Sequence, residues 1–281
     1  MFRSIDHMIL MTRDLASASS DYSKVFGCEP VWRGVHDDLG TENAIFSFNN
    51  LYLEILAPRT KGAGADFVNS VIDADGEGLA GLAFEASDVG RLKEKLSEKK
   101  VPTKKIVSGI SLDSHQQKYR SWRNLFFSRD LTRGLFIFAI NHESEKLQGS
   151  NESRSKIDRL DHVVVHTNDP DGFISLYRDK FGIKLSLDQT VEKWGGRMLF
   201  FRLNRTTIEV IGKIEKDGIP KDSFWGLAWS VSDLEAVHRR LKDIGVEVSN
   251  IRDGRKPRTV VCTVKSHTRG VPTLLIEHLD R

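Results

Sequence analysis

The chain is poor in cysteine, in net charge and in long apolar runs, and each shortage narrows what it can be. Only Cys28 and Cys262 occur among its 281 residues. They sit in non-corresponding places, so they read as free structural thiols in a reducing cytoplasm and not as a disulfide framework. The formal net charge is +3. That small excess gives no reason to expect nucleic acid or an anionic membrane as partner, although a pI of 8.8 leaves contact with polyanions open. No apolar run approaches the roughly 20 residues that span a bilayer. The first residues, Met1-Phe2-Arg3-Ser4-Ile5-Asp6-His7, have no signal-peptide core. There is no phosphate loop, no nucleophile elbow and no Cys–His zinc spacing.

What the chain does have is an internal repeat. Ser4-Ile5-Asp6-His7-Met8-Ile9-Leu10-Met11 has a twin in Arg159-Leu160-Asp161-His162-Val163-Val164-Val165-His166. Each reads as a short buried strand with a central histidine. Seven residues after each histidine an aspartate, Asp14 or Asp169, opens a helix. Strands fit Glu29–Gly34, Ala44–Phe48 and Tyr52–Leu56 after the first helix. They fit 184–188, 197–203 and 206–211 after the second. Two further units begin at Gly81 and Gly226, with helices opened by Asp88 and Asp233 and strands near 106–111, 122–127 and 135–140, or 246–250, 259–264 and 273–278.

The offset between halves is 155 for His7 to His162 and for Glu54 to Glu209. It is 145 for Asp88 to Asp233. It is 136 for Thr132-Arg133-Gly134 to Thr268-Arg269-Gly270 and for His142 to His278. An offset that falls in steps means that loops were trimmed while elements were kept. Arg59–Gly78, with its glycines and aspartates, reads as a long loop. The expected fold is α+β, with two domains at 1–142 and 158–281 joined by a polar linker at 143–157. Each domain pairs two β-α-β-β-β modules into one cupped mixed sheet with helices outside.

A tandem of such units, with Asp-His in the first strand and Leu-Glu or Ile-Glu in the last, resembles the vicinal oxygen chelate superfamily of glyoxalases, bleomycin-resistance proteins and extradiol dioxygenases. His36-Asp37-Asp38-Leu39-Gly40-Thr41-Glu42-Asn43 running into Tyr52-Leu53-Glu54-Ile55-Leu56 resembles its glyoxalase-like branch. The resemblance covers nearly the whole chain. It implies a metal held on the first and fourth strands of each unit, with open positions for a substrate carrying vicinal oxygens. In the first half those positions fall on His7, Glu54, Gly81 and Asn141. In the second they fall on His162, Glu209, Gly226 and Glu277. His162, Glu209 and Glu277 are therefore the expected metal ligands, for Fe, Mn, Zn or Ni. Without a cation they would need a basic partner, such as Arg202, Arg258 or Arg269. His7 and Glu54 read as a hydrogen-bonded pair in a structural or substrate cup.

Several polar residues have two readings each. His166 shares a strand face with His162 and is either a general base or a histidine at the pocket rim. His36, Thr41 and Asn43 lie between strands and either bind a polar ligand or hold a turn. Arg120 and Arg123, with Arg258 as a weaker echo, either hold an anionic or carbonyl-bearing substrate or guard a strand edge. Trp194-Gly195-Gly196-Arg197 reads as a hairpin turn before a pocket lid. Two functions follow. One is a divalent-metal-dependent enzyme of glyoxalase or dioxygenase type acting on a small oxygenated substrate. The other is a metal-free protein that sequesters a small aromatic or antibiotic-like molecule, with Trp122, Trp194, Trp225 and Trp229 lining the cups. Either is expected as a monomer or homodimer.

Overall fold

The computed structural model describes residues 1–113, 117–147, 157–191, 196–212 and 218–279. The first domain runs β1 (Phe2–Met11), α1 (Leu15–Phe26), β2 (Trp32–His36), β3 (Thr41–Ser47), β4 (Tyr52–Pro58), α2 (Ala63–Asp75), β5 (Gly78–Ala86), α3 (Val89–Glu98), β6 (Ile106–Asp113), β7 (Tyr119–Phe126) and β8 (Phe136–His142). The second runs β9 (Ile157–Thr167), α4 (Pro170–Ile174, continued as a wider π-type turn over Ser175–Lys180), β10 (Lys184–Val191), β11 (Gly196–Leu203), β12 (Thr206–Gly212) and β13 (Asp222–Val231). It ends with α5 (Leu234–Asp243), β14 (Arg252–Asp253), β15 (Thr259–Val264) and β16 (Thr273–His278). Each domain is thus a pair of β-α-β-β-β units on one sheet, and the whole is α+β. Asp14, Asp88, Asp169 and Asp233 each accept a backbone N–H of the helix they open, satisfying donors that the first turn leaves bare.

The two sheets share a strand plan and differ in closure. The first has the order β1-β4-β3-β2-β6-β7-β8-β5 and closes into a barrel, while the second has the order β10-β11-β12-β9-β13-β16-β15-β14 and stays open. Closure rests on the β2–β6 pairs Gly34↔Asp113 and Val35↔Leu112. Gly34 permits that approach. A Cβ there would lie 2.3 Å from Trp32 Nε1 and 2.4 Å from Ser111 Oγ. In the second domain Gln189 takes this place opposite Met198, as Gly34 does opposite Asn43. The strand corresponding to β6 is only Arg252–Asp253.

Three expectations are corrected. The stretch Arg59–Gly78 is not a loop: it carries α2, whose Ala65, Val68, Val71 and Ile72 bury one apolar face between flanking glycines. Val68, Val71 and Ile72 pack with Ile9, Met11, Ala83, Phe138 and Ile140, so α2 plugs the barrel end where β1 and β4 finish. His36, Thr41 and Asn43 are in strands, and the turn between them is only Asp37–Leu39 with Gly40. The expected strand at 246–250 is a single bridge, Val248↔Val264. Trp194 and Gly195, and residues 148–156 of the expected linker, lie outside the described residues.

One hydrophobic core serves both domains. Phe26 of α1 meets Trp229 of β13 at 5.0 Å between ring centroids, and Phe2 meets Phe181 at 5.4 Å. The repeated Thr-Arg-Gly turns become reciprocal clasps. Arg133 donates through Nε and Nη2 to the buried Asp222 (3.0 and 2.7 Å) and lies over the Phe173 ring. Arg269 pairs with Asp21 at 2.7 Å and donates to Ser17, both on α1. No described helix is long and apolar enough to cross a membrane.

Candidate functional site

Both halves build the same four-residue cluster on the concave face of their sheet. Adjacent residues of a strand point to opposite faces, so Asp6 and His7 should not meet in one cup. A β-bulge reconciles them. Against β5 the register runs Ile5↔Phe84 and then His7↔Ala83, leaving Asp6 unpaired. Against β13 it runs Leu160↔Trp229 and then His162↔Ala228, leaving Asp161 unpaired. The extra residue re-aims the carboxylate into the cup. Asp6 Oδ1 then accepts from His7 Nδ1 at 2.7 Å, and its Oδ2 accepts from His142 Nε2 at 3.0 Å. Asp161 accepts from His162 Nδ1 at 2.9 Å and from His278 Nε2 at 2.7 Å. Glu54 faces His7 Nε2 at 3.3 Å, and Glu209 faces His162 Nε2 at 3.6 Å.

The surroundings of the two clusters differ. In the first barrel Asn43 Nδ2 donates to Glu54 Oε1 at 2.5 Å, while its own Oδ1 accepts from Gly34 N. His36 Nδ1 meets Thr41 Oγ1 at 3.0 Å, and the His36 ring stands edge-on to Trp122. Arg120 is only 6 % exposed. Its guanidinium lies over Trp32 (5.5 Å) and Tyr52 (5.8 Å) and reaches His142 Nδ1 at 3.4 Å. Because a guanidinium only donates, His142 Nδ1 is the acceptor and its Nε2 carries the hydrogen given to Asp6. Leu147 packs on Trp32, Ile45 and Tyr52 at the end opposite α2. The first cluster is therefore sealed by the chain itself.

That sealing shifts the charges. Burial opposes the imidazolium of His7, but the hydrogen bond to Asp6 and the carboxylate charges of Glu54 and Asp6 on either side of the ring prevail, and its pKa rises to about 9. Burial likewise opposes the Glu54 carboxylate, yet His7 and Asn43 pull it down to about 2. Asp6 is lowered as well, its burial outweighed by hydrogen bonds from His142 and His7. His36 is lowered, chiefly by burial.

In the second cup the position of Asn43 is taken by Met198: Asn43 pairs with Leu56 and Met198 with Ile211, both at the 155-residue offset. Phe200 stands opposite Glu209, as Ile45 does opposite Glu54. Val191 replaces His36. Glu209 thus lacks a side-chain donor among the described residues, and burial raises its pKa despite His162 and Arg255. His162 and Glu209 keep 19 % and 18 % of their side-chain surface, against 9 % and 14 % for His7 and Glu54, so it is chiefly the histidine that is more exposed in this cup. This cup is open along the β10–β14 side of its sheet, with the four-residue polar cluster at its floor and apolar residues around it.

The expected site residues divide accordingly. The structure brings His162 and Glu209 together but not Glu277, whose Oε2 accepts from Leu234 N at the start of α5 at 2.8 Å. Alternation along β16 puts Glu277 on the helix side of the sheet, one residue away from the inward position. The neighbour, His278, is the residue that turns into the cup. His166 lies on the face of His162 but at the rim, where its ring stacks on Trp225 at 5.6 Å. His36, Thr41, Asn43 and Arg120 gather in the first barrel and not in the second cup. Arg123 points outward from the same strand as Arg120, towards Asp88. Arg258 is exposed in the turn before β15, with φ of 60°. Arg202 donates to Thr207. Trp229 is in the inter-domain core and lines no cup. Asp6, Asp161, His142 and His278 belong to the clusters as well, beyond the residues expected from the sequence. The Asp-His adjacency and the shared 136-residue offset of the two histidines were visible signals.

Residues 5–157, more than half of the chain, match the family model described as a glyoxalase-like domain. The chain belongs to this glyoxalase-like family. Its second half, residues 161–262, matches the model of the glyoxalase/bleomycin resistance protein/dioxygenase superfamily, so both domains are of the vicinal oxygen chelate type. No curated protein matches the sequence. Among solved structures, a hypothetical protein from Staphylococcus aureus is 13 % identical with a TM-score of 0.68, over 98 % of this chain and 99 % of that one. A mutant 4-hydroxymandelate synthase from Streptomyces coelicolor is 15 % identical with a TM-score of 0.67, over 100 % and 94 %. A xylose isomerase-like TIM barrel/4-hydroxyphenylpyruvate dioxygenase fusion protein is 10 % identical with a TM-score of 0.63, over 99 % of this chain and 49 % of that one. At these identities the likeness is one of fold. The glyoxalase-like protein spans about half the length of the fusion protein.

Proteins of this superfamily generally use a divalent metal, so the donor chemistry of the two cups bears on that question. A catalytic metal takes about three protein ligands and leaves open positions. Each cup offers one imidazole nitrogen and one carboxylate at the expected positions, while the other two members of its cluster, Asp6 with His142 or Asp161 with His278, are hydrogen-bonded to each other. The other inward places are Gly81, Ala83 and Ile140 in the first, and Gly226, Ala228 and Ile276 in the second. Among the described residues no group of three His, Cys, Asp or Glu side chains is arranged to hold a metal ion. The donor set does not fit a resident divalent metal.

Proposed function

We propose that this glyoxalase-like protein is a metal-independent binder of a small apolar molecule, and that its second cup is the working site. The observation that supports this reading is the engagement of Glu277 by the N-terminus of α5. It leaves His162 and Glu209, with Asp161 and His278 hydrogen-bonded beside them, as a small polar floor in an otherwise apolar recess, the usual make-up of a small-molecule pocket. Val164, Phe200 and Ile276 provide the apolar walls, and the stacked His166–Trp225 pair stands at the rim. The first barrel, closed by α2, Leu147 and the β2–β6 seam, acts as a rigid partner domain. The metal-dependent enzyme with Fe, Mn, Zn or Ni on His162, Glu209 and Glu277 is the competing reading, and it requires Glu277 to leave Leu234.

Calorimetry with Fe(II), Mn(II), Zn(II) and Ni(II), together with elemental analysis of the purified protein, tests the reading. The expected result is no stoichiometric metal and the same weak heats for wild type and Glu209→Ala. Stoichiometric binding lost in His162→Ala and Glu209→Ala would overturn it. In parallel, a panel of small aromatic compounds should shift the methyl NMR signals of Val164 and Ile276 and leave those of Ile9 and Ile45 unchanged.

A further inference from the structure

The two halves carry one charged cluster in two states, and the sealed copy shows what the open copy lacks. In the first barrel the carboxylate of Glu54 has two neighbours. His7 Nε2 faces its Oε2, and a neutral amide N–H from Asn43 is donated to its Oε1 at 2.5 Å. In the second cup His162 keeps the first role at 3.6 Å from Glu209. The second role is empty of any donor, because the strand position that carries Asn43 carries Met198, a buried thioether that cannot donate. Glu209 is left mostly buried, with no hydrogen-bond donor among the described residues. A mostly buried carboxylate without its donor is costly, and burial raises its pKa in keeping with that.

We infer that the ligand of the second cup is a neutral apolar molecule bearing one hydrogen-bond donor, a hydroxyl or an amide N–H, which it gives to Glu209 in the place that Asn43 fills beside Glu54. This rests on the second cup being the ligand site. The chemistry follows from the template. The donor in the first barrel is neutral and single. Val164, Met198, Phe200 and Ile276 around the vacant place are apolar, so the rest of the ligand is apolar too. An anion is disfavoured beside Glu209, since that carboxylate and Asp161 both face the cup and the two histidines are engaged with Asp161, and the positive charge of Arg255 that acts on Glu209 offsets the carboxylate's burial only in part. Gln189, across from Met198 where the first barrel has Gly34, gives the ligand a second polar neighbour at the seam that closes the first barrel and is open here.

Phenol, toluene and anisole form the test, since they share a ring and differ in the donor. Binding to the wild-type full chain is followed by NMR titration on the methyl groups of Val164 and Ile276. Phenol is expected to bind at least tenfold more tightly than toluene or anisole, although both are more hydrophobic. In Glu209→Leu that preference should vanish. In Met198→Asn, which grafts the first barrel's own donor beside Glu209, phenol should lose its advantage while toluene is little changed. Equal affinity of the three probes for wild type, or a phenol preference that survives Glu209→Leu, overturns the donor assignment alone. No shift at Val164 or Ile276 with any probe overturns the assignment together with the choice of cup. The wild-type comparison stands even if a variant fails to fold.

Discussion

His7 gives the sealed barrel a pH dependence that can be worked through in advance. Its imidazolium sits between Asp6 at 2.7 Å and Glu54 at 3.3 Å, and its pKa is raised from 6.5 to about 9. Each tenfold gain in proton affinity is worth about 1.4 kcal/mol, so the ion cluster contributes about 3 kcal/mol. For a raised pKa this contribution is fully present below pH 6.5 and is lost as pH climbs through 9. Glu54 describes the same pair from the acid side. Its pKa is lowered from 4.5 to about 2, so the contribution is present above pH 4.5 and lost as pH falls towards 2. The two windows belong to one interaction and are counted once. Denaturant unfolding at pH 6.0, 7.5 and 9.5 should show wild type losing about 3 kcal/mol that His7→Gln does not lose. NMR of the His7 ring should show its midpoint near pH 9. A His7 midpoint near 6.5, or an equal pH slope in wild type and His7→Gln, would refute the reasoning.

Three further outcomes follow from single contacts. Gly34→Val places a side chain where Trp32 Nε1 and Ser111 Oγ already lie. It should cost about 1–3 kcal/mol in thermal or denaturant stability, with faster amide exchange at Val35, where β2 meets β6. Arg133→Ala strands the buried carboxylate of Asp222 and should destabilise by about 3–5 kcal/mol, measured by denaturant unfolding, with Asp222→Asn in the same background recovering part of the loss. Glu277→Ala removes the acceptor of Leu234 N. It should cost about 0.5–2 kcal/mol, the range for a helix cap, while metal content stays as in wild type.

The sequence by itself determined the repeat, the strand and helix order and the pairs His7–Glu54 and His162–Glu209, because periodicity, capping aspartates and equal offsets are local or additive signals. It also held the difference between the halves. The offset falls by ten between β4 and β5, where α2 plugs the first barrel, and by nine between the third helix and the Thr-Arg-Gly turn, a span that holds β6, which is long enough to close the barrel. Those trimmed residues leave the second cup open. Tertiary structure alone decided the rest. The bulges that turn Asp6 and Asp161 inward depend on the partner strands β5 and β13, and no residue type announces them. They also belong to cups that His278 enters and Glu277 does not, a distinction of one residue that alternation makes absolute and that only the observed strand pairing fixes. The partners of Arg133 and Arg269 lie in the opposite domain, so their clasping roles appear only once the two sheets share a core.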